Sequence, residues 1–242
     1  MSSQFPDNPE DYKTARGTEF YLTIHEALPN FNLSLPCPVN DVFHSIDYLT
    51  QNDYRGTQSL REALSYLTHT QFMNIRRQVF QYLRSMGHMT ASRMETFDGR
   101  PIYNPQLFKP LPDFRRMYSS CATDSELRLN LSLAIEDELG LVDRSRFMNK
   151  MPSGVPFTFS HGEISVDNVR IKDGEFVGLD KWELCGFYPI WWEYIGCDRI
   201  LEVPYVHQPA MEWFSIYCAI RDRPDTPETT AMLNKYLQGD GR

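Results

Sequence analysis

Between residues 168 and 179 the sequence alternates, turns and alternates again. Asn168 to Ile171 and Glu175 to Leu179 both show period-two patterning, and Lys172-Asp173-Gly174 supplies the turn chemistry between them. This predicts a β-hairpin, in a chain whose other strong signals are helical. The clearest helix runs from about Thr70 to Met86, where Phe72, Ile75, Val79, Tyr82, Leu83 and Met86 fall on one continuous face. Thr70 is its expected cap and Gly87 its expected stop. A hairpin set among helices points to an α+β fold.

The remaining punctuation fills in the order of elements. Residues 1–17 read as a flexible polar tail. Thr18 to Leu28 has helical spacing, Leu35-Pro-Cys-Pro38 breaks the chain, Asp41 to Leu49 is rich in β-formers, and Gln51 to Gln58 reads as a turn. A short helix is expected at Ser59 to Leu67. Residues 97–114 hold five prolines or glycines and form an irregular connection. Asp124 is the expected cap of a helix to about Leu139, Pro156 to Ser160 is strand-prone, and helices follow at about Tyr188 to Leu201, Pro209 to Arg221 and Pro227 to Leu237.

Charge and hydropathy narrow the partners. The 242-residue chain carries a formal charge of −8, which argues against nucleic acid or an anionic membrane as the main partner, because both reward basic patches. Its longest apolar stretch, around Cys185 to Cys197, contains Glu193 and is too short and too polar to span a bilayer. The opening MSSQFPDNPEDYK has no apolar run, so no secretory signal is expected. Five scattered cysteines without a CxxC suggest thiols in a reducing compartment, hence a cytoplasmic location.

The informative segment is His161-Gly-Glu-Ile-Ser-Val-Asp-Asn168, then the hairpin, then Gly178-Leu-Asp-Lys-Trp-Glu-Leu-Cys-Gly-Phe-Tyr-Pro189. An acid five residues before an asparagine, followed by a hairpin and a second acid, is a phosphoryl-transfer layout. In that layout the first acid orients the acceptor hydroxyl, and the asparagine and second acid hold Mg²⁺ against the phosphates.

The segment resembles the aminoglycoside phosphotransferase and choline kinase superfamily, whose catalytic loop is H-G-D-x-x-x-x-N. It is most similar to the fungal branch, with its G-I-I-D-W-E-x-A-G-x-Y-P-x-x-W-E-Y tail. Trp182, Glu183, Gly186, Tyr188, Pro189, Trp192, Glu193 and Tyr194 match that tail. The resemblance covers about residues 18–220 and is strongest over 157–195. It implies a protein-kinase-like fold: a mainly helical C-lobe over residues 59–242 that includes the β-hairpin, and a reduced N-terminal lobe over residues 18–58.

Three departures from the family pattern bear on function. Glu163 replaces the catalytic aspartate and sets the same charge about 1.5 Å further out; a misplacement near 1 Å can cost about 10²-fold in rate. Lys181 stands where the metal-binding aspartate belongs, and an ammonium repels Mg²⁺. Asp180 precedes it, but consecutive strand residues face opposite ways unless a bulge intervenes. Alternatively, Lys181 replaces the cation and pairs with Glu163 or Asn168. Finally, about seventeen polar residues precede the first helix, too few for a three-stranded sheet with strands of roughly 5–6 residues. Gly17 is the only glycine before Gly56 and Lys13 the only lysine before Lys109, so no phosphate-cradling loop is in view.

These losses fall on positioning and charge neutralisation, which supply nearly all of phosphoryl-transfer catalysis. The expected function is therefore a kinase-fold protein repurposed as a small-molecule enzyme, without ATP, a metal or another cofactor. It would perform acid–base chemistry such as cyclisation, isomerisation, elimination or hydrolysis, in a setting the resemblance implies to be fungal specialised metabolism. The candidate catalytic residues are His161, Glu163, Asp180 and Lys181, and Asn168, Trp182 and Glu183 are candidates for holding the substrate. Each also has a plainer reading. His161 reads first as a brace of the loop, Glu163 and Asp180 as solvated acids, Glu183 and Glu193 as partners of arginines or helix caps, and the tryptophans as packing. The alternatives are a pseudokinase-like binding or scaffold protein, its exposed lobe surface covered by a homodimer or a partner chain, and an atypical active phosphotransferase.

Overall fold

The computed structural model describes Tyr54 and residues 56–96, 102, 104, 106–108, 120–197, 201 and 207–239. The expected tail, the Thr18–Leu28 helix, the Leu35–Pro38 break and the Asp41–Leu49 strand lie outside the described residues, as does most of the 97–114 connection.

Seven α-helices and six strands are present among the described residues, an α+β arrangement. In chain order they are β1 (Gln58–Ser59), α1 (Leu60–Ala63), α2 (His69–Met86), β2 (Thr90–Ala91), α3 (Asp124–Leu133), α4 (Leu141–Asn149), β3 (Phe157–Ser160), β4 (Val169–Lys172), β5 (Glu175–Leu179), β6 (Gly186–Pro189), α5 (Trp192–Ile195), α6 (Gln208–Asp222) and α7 (Pro227–Gln238). A 3₁₀ turn, Trp182–Leu184, joins β5 to β6. No helix among the described residues is long and apolar enough to cross a membrane.

The strands form two small antiparallel sheets, ordered β1-β4-β5 and β2-β3-β6. The β4–β5 hairpin is the one legible in the sequence, turning through Asp173 and Gly174, both with positive φ. Helix α2 lies across this sheet and buries Ile75, Val79, Tyr82, Leu83 and Met86 in one cluster with Val169, Ile171 and Phe176. Removing a side chain of this size from water contributes roughly 2 kcal/mol, so this one face outweighs any helix propensity. A second core gathers α3, α4, α6 and α7 around Trp191, Trp192, Trp213 and Tyr188, with stacked rings at Trp213–Tyr217 and Tyr188–Trp192. Phe157 of β3 belongs to this second core and Phe159 to the first, so β3 ends between the two.

Several boundaries differ from those the sequence suggests. The α2 cap is Thr68, not Thr70: its hydroxyl accepts from the Gln71 N–H, and the Gln71 side chain returns the bond to the cap's own N–H. Helix α1 stops at Ala63 instead of running to Leu67, although its Ser59–Glu62 capping box is complete. Thr123 caps α3, while the Asp124 carboxylate accepts from the Gly154 N–H at 2.7 Å. The α3 pattern extends to Leu139 in the sequence, but beyond Leu133 the bonds tighten to i→i−3, as at Ala134–Leu131 and Ile135–Ser132. Ala134 and Ile135 stay buried, so the apolar spacing survives the end of the helix. Helix α4 has no counterpart in the sequence reading, because only its last turn buries apolar residues, Phe147 and Met148, while Leu141 and Val142 are exposed. The helix expected from Tyr188 is instead strand β6 followed by the short α5: Gly186 to Pro189 pair with Ser160 to Phe157 along β3. Aromatic residues suit either state, and the tertiary pairing decides it.

Candidate functional site

Strand β3 runs into a loop, residues 161–168, that buries Ile164 and Val166 in the first core and leads directly into β4. The turn begins at Gly162, whose φ is +91°. A Cβ there would stand 2.2 Å from the Leu184 carbonyl oxygen, so only glycine fits. The Gly162 carbonyl accepts from Asn104 Nδ2 at 3.0 Å and from Trp192 Nε1 at 3.3 Å.

The loop is then closed by its own polar side chains. Asn168 Nδ2 donates to the Glu163 carbonyl at 2.5 Å, and its Oδ1 accepts from the Ser165 N–H at 2.8 Å. The Asn168 carbonyl takes the Asp180 N–H at 3.0 Å, stitching the loop to the end of the hairpin. His161 is fully buried. Its Nδ1 accepts from the Glu163 N–H at 3.4 Å, and Nε2 lies 2.8 Å from the Asp180 carbonyl. A neutral ring with Nδ1 accepting carries its proton on Nε2, which the Asp180 carbonyl receives. Burial pushes the imidazole down to about 4, against the smaller upward pull of the Asp180 and Glu163 backbone bonds, so the ring is neutral at physiological pH. Both nitrogens hold the main chain, and His161 acts here as a brace.

The acids separate. Glu163 is exposed, with Gln106 Nε2 at 3.4 Å from Oε1. Asp180 turns the other way: its Oδ2 lies 3.6 Å from Arg170 Nη1, and the side chains are only 19% and 13% exposed. Arg170 also donates to Thr57 Oγ1 and lies over the Tyr54 ring. The hairpin does contain a bulge. Arg170 pairs with Gly178 and Ile171 with Phe176, which leaves Val177 unmatched. Beyond it, Asp180 faces Arg170.

Lys181 follows in a left-handed conformation, φ 61° and ψ 60°, and is exposed. Its charge acts on Asp167. The Arg61 hydrogen bond is the main influence holding that carboxyl below its usual range, with the Arg61 and Lys181 charges adding to it. Arg61 grips Asp167 through Nε to Oδ1 and, at 2.8 Å, through Nη2 to Oδ2. The Trp182 indole donates to the Leu179 carbonyl at 2.8 Å, stacks on Phe159 and meets the His161 ring at 4.6 Å between centroids, so it packs the loop from behind. The Glu183 side chain lies outside the described residues.

Glu193 lies in the first turn of α5 and is 6% exposed, and no arginine pairs with it among the described residues. Burial pushes its carboxyl up to about 7, against the smaller downward pull of the Gly162 and His161 main chain and the Ser160 side chain. The W-E-Y run marked the position, but nothing local to it points to its burial. Arg170 and Arg61 were missed as well. Arg61 meets Asp167 across the fold and Arg170 meets Asp180 across the hairpin, and a period-two or helical pattern does not reveal such a pairing.

This donor set does not fit a divalent cation. Asp180 already faces a guanidinium, the Asn168 amide is engaged at both ends, and an ammonium follows Asp180 in the chain. Among the described residues no three His, Cys, Asp or Glu side chains cluster as ligands. What the arrangement offers is one exposed carboxylate, Glu163, on a main chain pinned by His161, Asn168 and Gly162. A scan against family models and searches of curated proteins and of solved structures find no match to this chain.

Proposed function

We propose that this chain is a degenerate relative of the aminoglycoside phosphotransferase and choline kinase superfamily, built on a kinase-like C-lobe, that does not transfer phosphate from ATP. Instead it performs one-base chemistry on a small molecule, with Glu163 taking a proton from the bound ligand and returning it to the product. The observation that carries this reading is the Arg170–Asp180 pair beside Lys181. At the position where the superfamily gathers negative charge around magnesium, this chain sets an acid against one cation and follows it with another. Of the four candidate catalytic side chains, His161 is buried and braced, Asp180 is paired, and Lys181 is an exposed cation in a left-handed turn. Glu163 keeps an exposed carboxylate on a fixed loop, which suits isomerisation or elimination better than phosphoryl transfer.

Calorimetry with ATP and Mg²⁺ tests the first half, together with mass spectrometry of choline and an aminoglycoside as acceptors. No binding at millimolar nucleotide and no phosphorylated acceptor are expected; transfer to either acceptor overturns the reading. For the second half, a metabolite extract in D₂O is incubated with the protein. Protein-dependent deuterium incorporation, lost in Glu163→Gln, is expected. A pattern unchanged by Glu163→Gln removes Glu163 from the mechanism.

A second reading, a binding or scaffold protein, is favoured by the exposed apolar side chains of α3 and α4: Leu129 at 64% and Leu141 and Val142 both at 72%. A homodimer or a partner chain would cover them. Light scattering that gives a monomer at micromolar concentration counts against the homodimer.

A further inference from the structure

The chain brings a carboxamide to the exposed carboxylate. Gln106 Nε2 stands 3.4 Å from Glu163 Oε1, although 57 residues separate the two in sequence. One buried side chain sets the backbone at both. Asn104, fully buried, donates from Nδ2 to the Gly162 carbonyl at 3.0 Å and accepts at Oδ1 from the Gln106 N–H at 2.9 Å. The main chain before Glu163 and the main chain of Gln106 are thus held by the two ends of the same amide. Helix α6 adds two more bonds: Arg221 Nη1 donates to the Gln106 carbonyl, and the Tyr217 hydroxyl donates to the Leu107 carbonyl at 2.9 Å. The Arg221 guanidinium is answered by Asp222, through Nε to Oδ1 at 2.6 Å and Nη2 to Oδ2 at 2.8 Å, so it brings little net charge to the segment.

This juxtaposition offers a ligand one acceptor and one uncharged donor, side by side. At 3.4 Å the bond between them is long, so a ligand that engages both gives up little. A phosphate or a carboxylic acid fits poorly, because Glu163 is an acid and Gln106 brings no positive charge to offset it. A neutral carbonyl compound with a hydrogen on the adjacent carbon fits. Its oxygen and that carbon lie about 2.4 Å apart, close enough to reach Nε2 and Oε1 together.

We propose that Gln106 and Glu163 together bind an enolisable ketone or aldehyde, Gln106 donating to its oxygen while Glu163 takes the proton from the adjacent carbon. This rests on the reading of Glu163 as a base and names the substrate class for it. The C–H electron pair becomes the carbon–carbon double bond of the enolate, and the carbonyl π pair moves onto oxygen. The Gln106 N–H meets the charge that develops there. Return of the proton from Glu163 to carbon reverses the flow and restores both carbonyl and carboxylate. The step balances without an oxidant or a reductant.

Cyclohexanone in D₂O is the probe, followed by proton NMR with the full chain at neutral pH. Protein-dependent loss of the proton signals next to the carbonyl is expected. The loss should be absent in Glu163→Gln and about 100-fold slower in Gln106→Leu, which keeps the bulk of the side chain and removes the donor. An unchanged rate in Gln106→Leu overturns the proposal and leaves Glu163 as the base. So does cyclohexanone that stays unlabelled while the metabolite extract takes up deuterium through Glu163. An extract without any protein-dependent label defeats the reading of Glu163 itself, and the proposal with it. The unaltered protein gives a measurement free of any folding defect in a variant. Its Gln106 side-chain amide signals are expected to shift as cyclohexanone is added, and signals that stay in place overturn the proposal.

Discussion

Arg170 and Asp180 face each other across the mouth of the β4–β5 hairpin, Nη1 to Oδ2 at 3.6 Å, with both side chains largely buried. The guanidinium is further held by Thr57, so the pair is positioned from two elements. Removing one partner of such a pair strands the other, which costs about 3 kcal/mol, whereas removing both costs less. Arg170→Met is therefore expected to lower stability in urea by about 3 kcal/mol, and adding Asp180→Asn to recover much of that. Strictly additive losses in the double variant would show that the two groups do not depend on each other.

Gly162 sets the course of the loop. Its φ of +91° disfavours any side chain, and a Cβ would meet the Leu184 carbonyl at 2.2 Å, a backbone atom with no rotamer to yield. Gly162→Ala is expected to cost about 3 kcal/mol or more, read as a fall in thermal midpoint and a loss of near-ultraviolet signal from Trp182 and Trp192. A variant as stable as the parent would mean that the loop is free to move away from Leu184.

How much of this was legible depends on the range of the interaction. The hairpin and α2 announced themselves because each is specified within a dozen or so residues, by period-two alternation or by one apolar face with a capping box. Lys181 and Glu163 stood out because the sequence places them where a neighbouring motif leads one to look. The direction of Asp180 was open, since it turns on the bulge at Val177, and the backbone makes that choice in the context of β4. The burial of Glu193 was not legible for a similar reason: burial, which raises its carboxyl, is a property of the assembled core. Helix α4 and strand β6 were missed where local pattern is weak and packing partners decide.

Two thiols are expected to be inert in the folded protein. Burial pushes Cys121 up to about 11, partly opposed by the Asn130 amide that donates to its Sγ at 2.9 Å, and burial pushes Cys218 up to about 11 as well. At pH 8 the thiolate fraction of each is on the order of 10⁻³, and the thiolate is the reactive form. Iodoacetamide at pH 8, followed by peptide mapping, should modify both at least about a hundredfold more slowly in buffer than in urea. Equal rates in the two conditions would place these residues at the surface.

Lys181 gives the sharpest test of whether the turn after β5 is held for function. A non-glycine residue in the left-handed region costs about 1 kcal/mol, and at φ 61° and ψ 60° Lys181 carries that cost at an exposed position. Glycine relieves it, offset in part by the greater freedom of the unfolded chain. Lys181→Gly is thus expected to stabilise the fold by about 0.5 kcal/mol, and Lys181→Ala, which keeps the Cβ, to give no gain. Comparing the two separates backbone strain from loss of the charge that helps lower the Asp167 carboxyl, because both variants remove the ammonium equally. If both are destabilised alike, the ammonium outweighs the strain and the turn is held by its charge. If glycine alone stabilises the protein, a lysine has been kept there at a cost to the fold, and ligand binding by the two variants then shows what the ammonium is kept for.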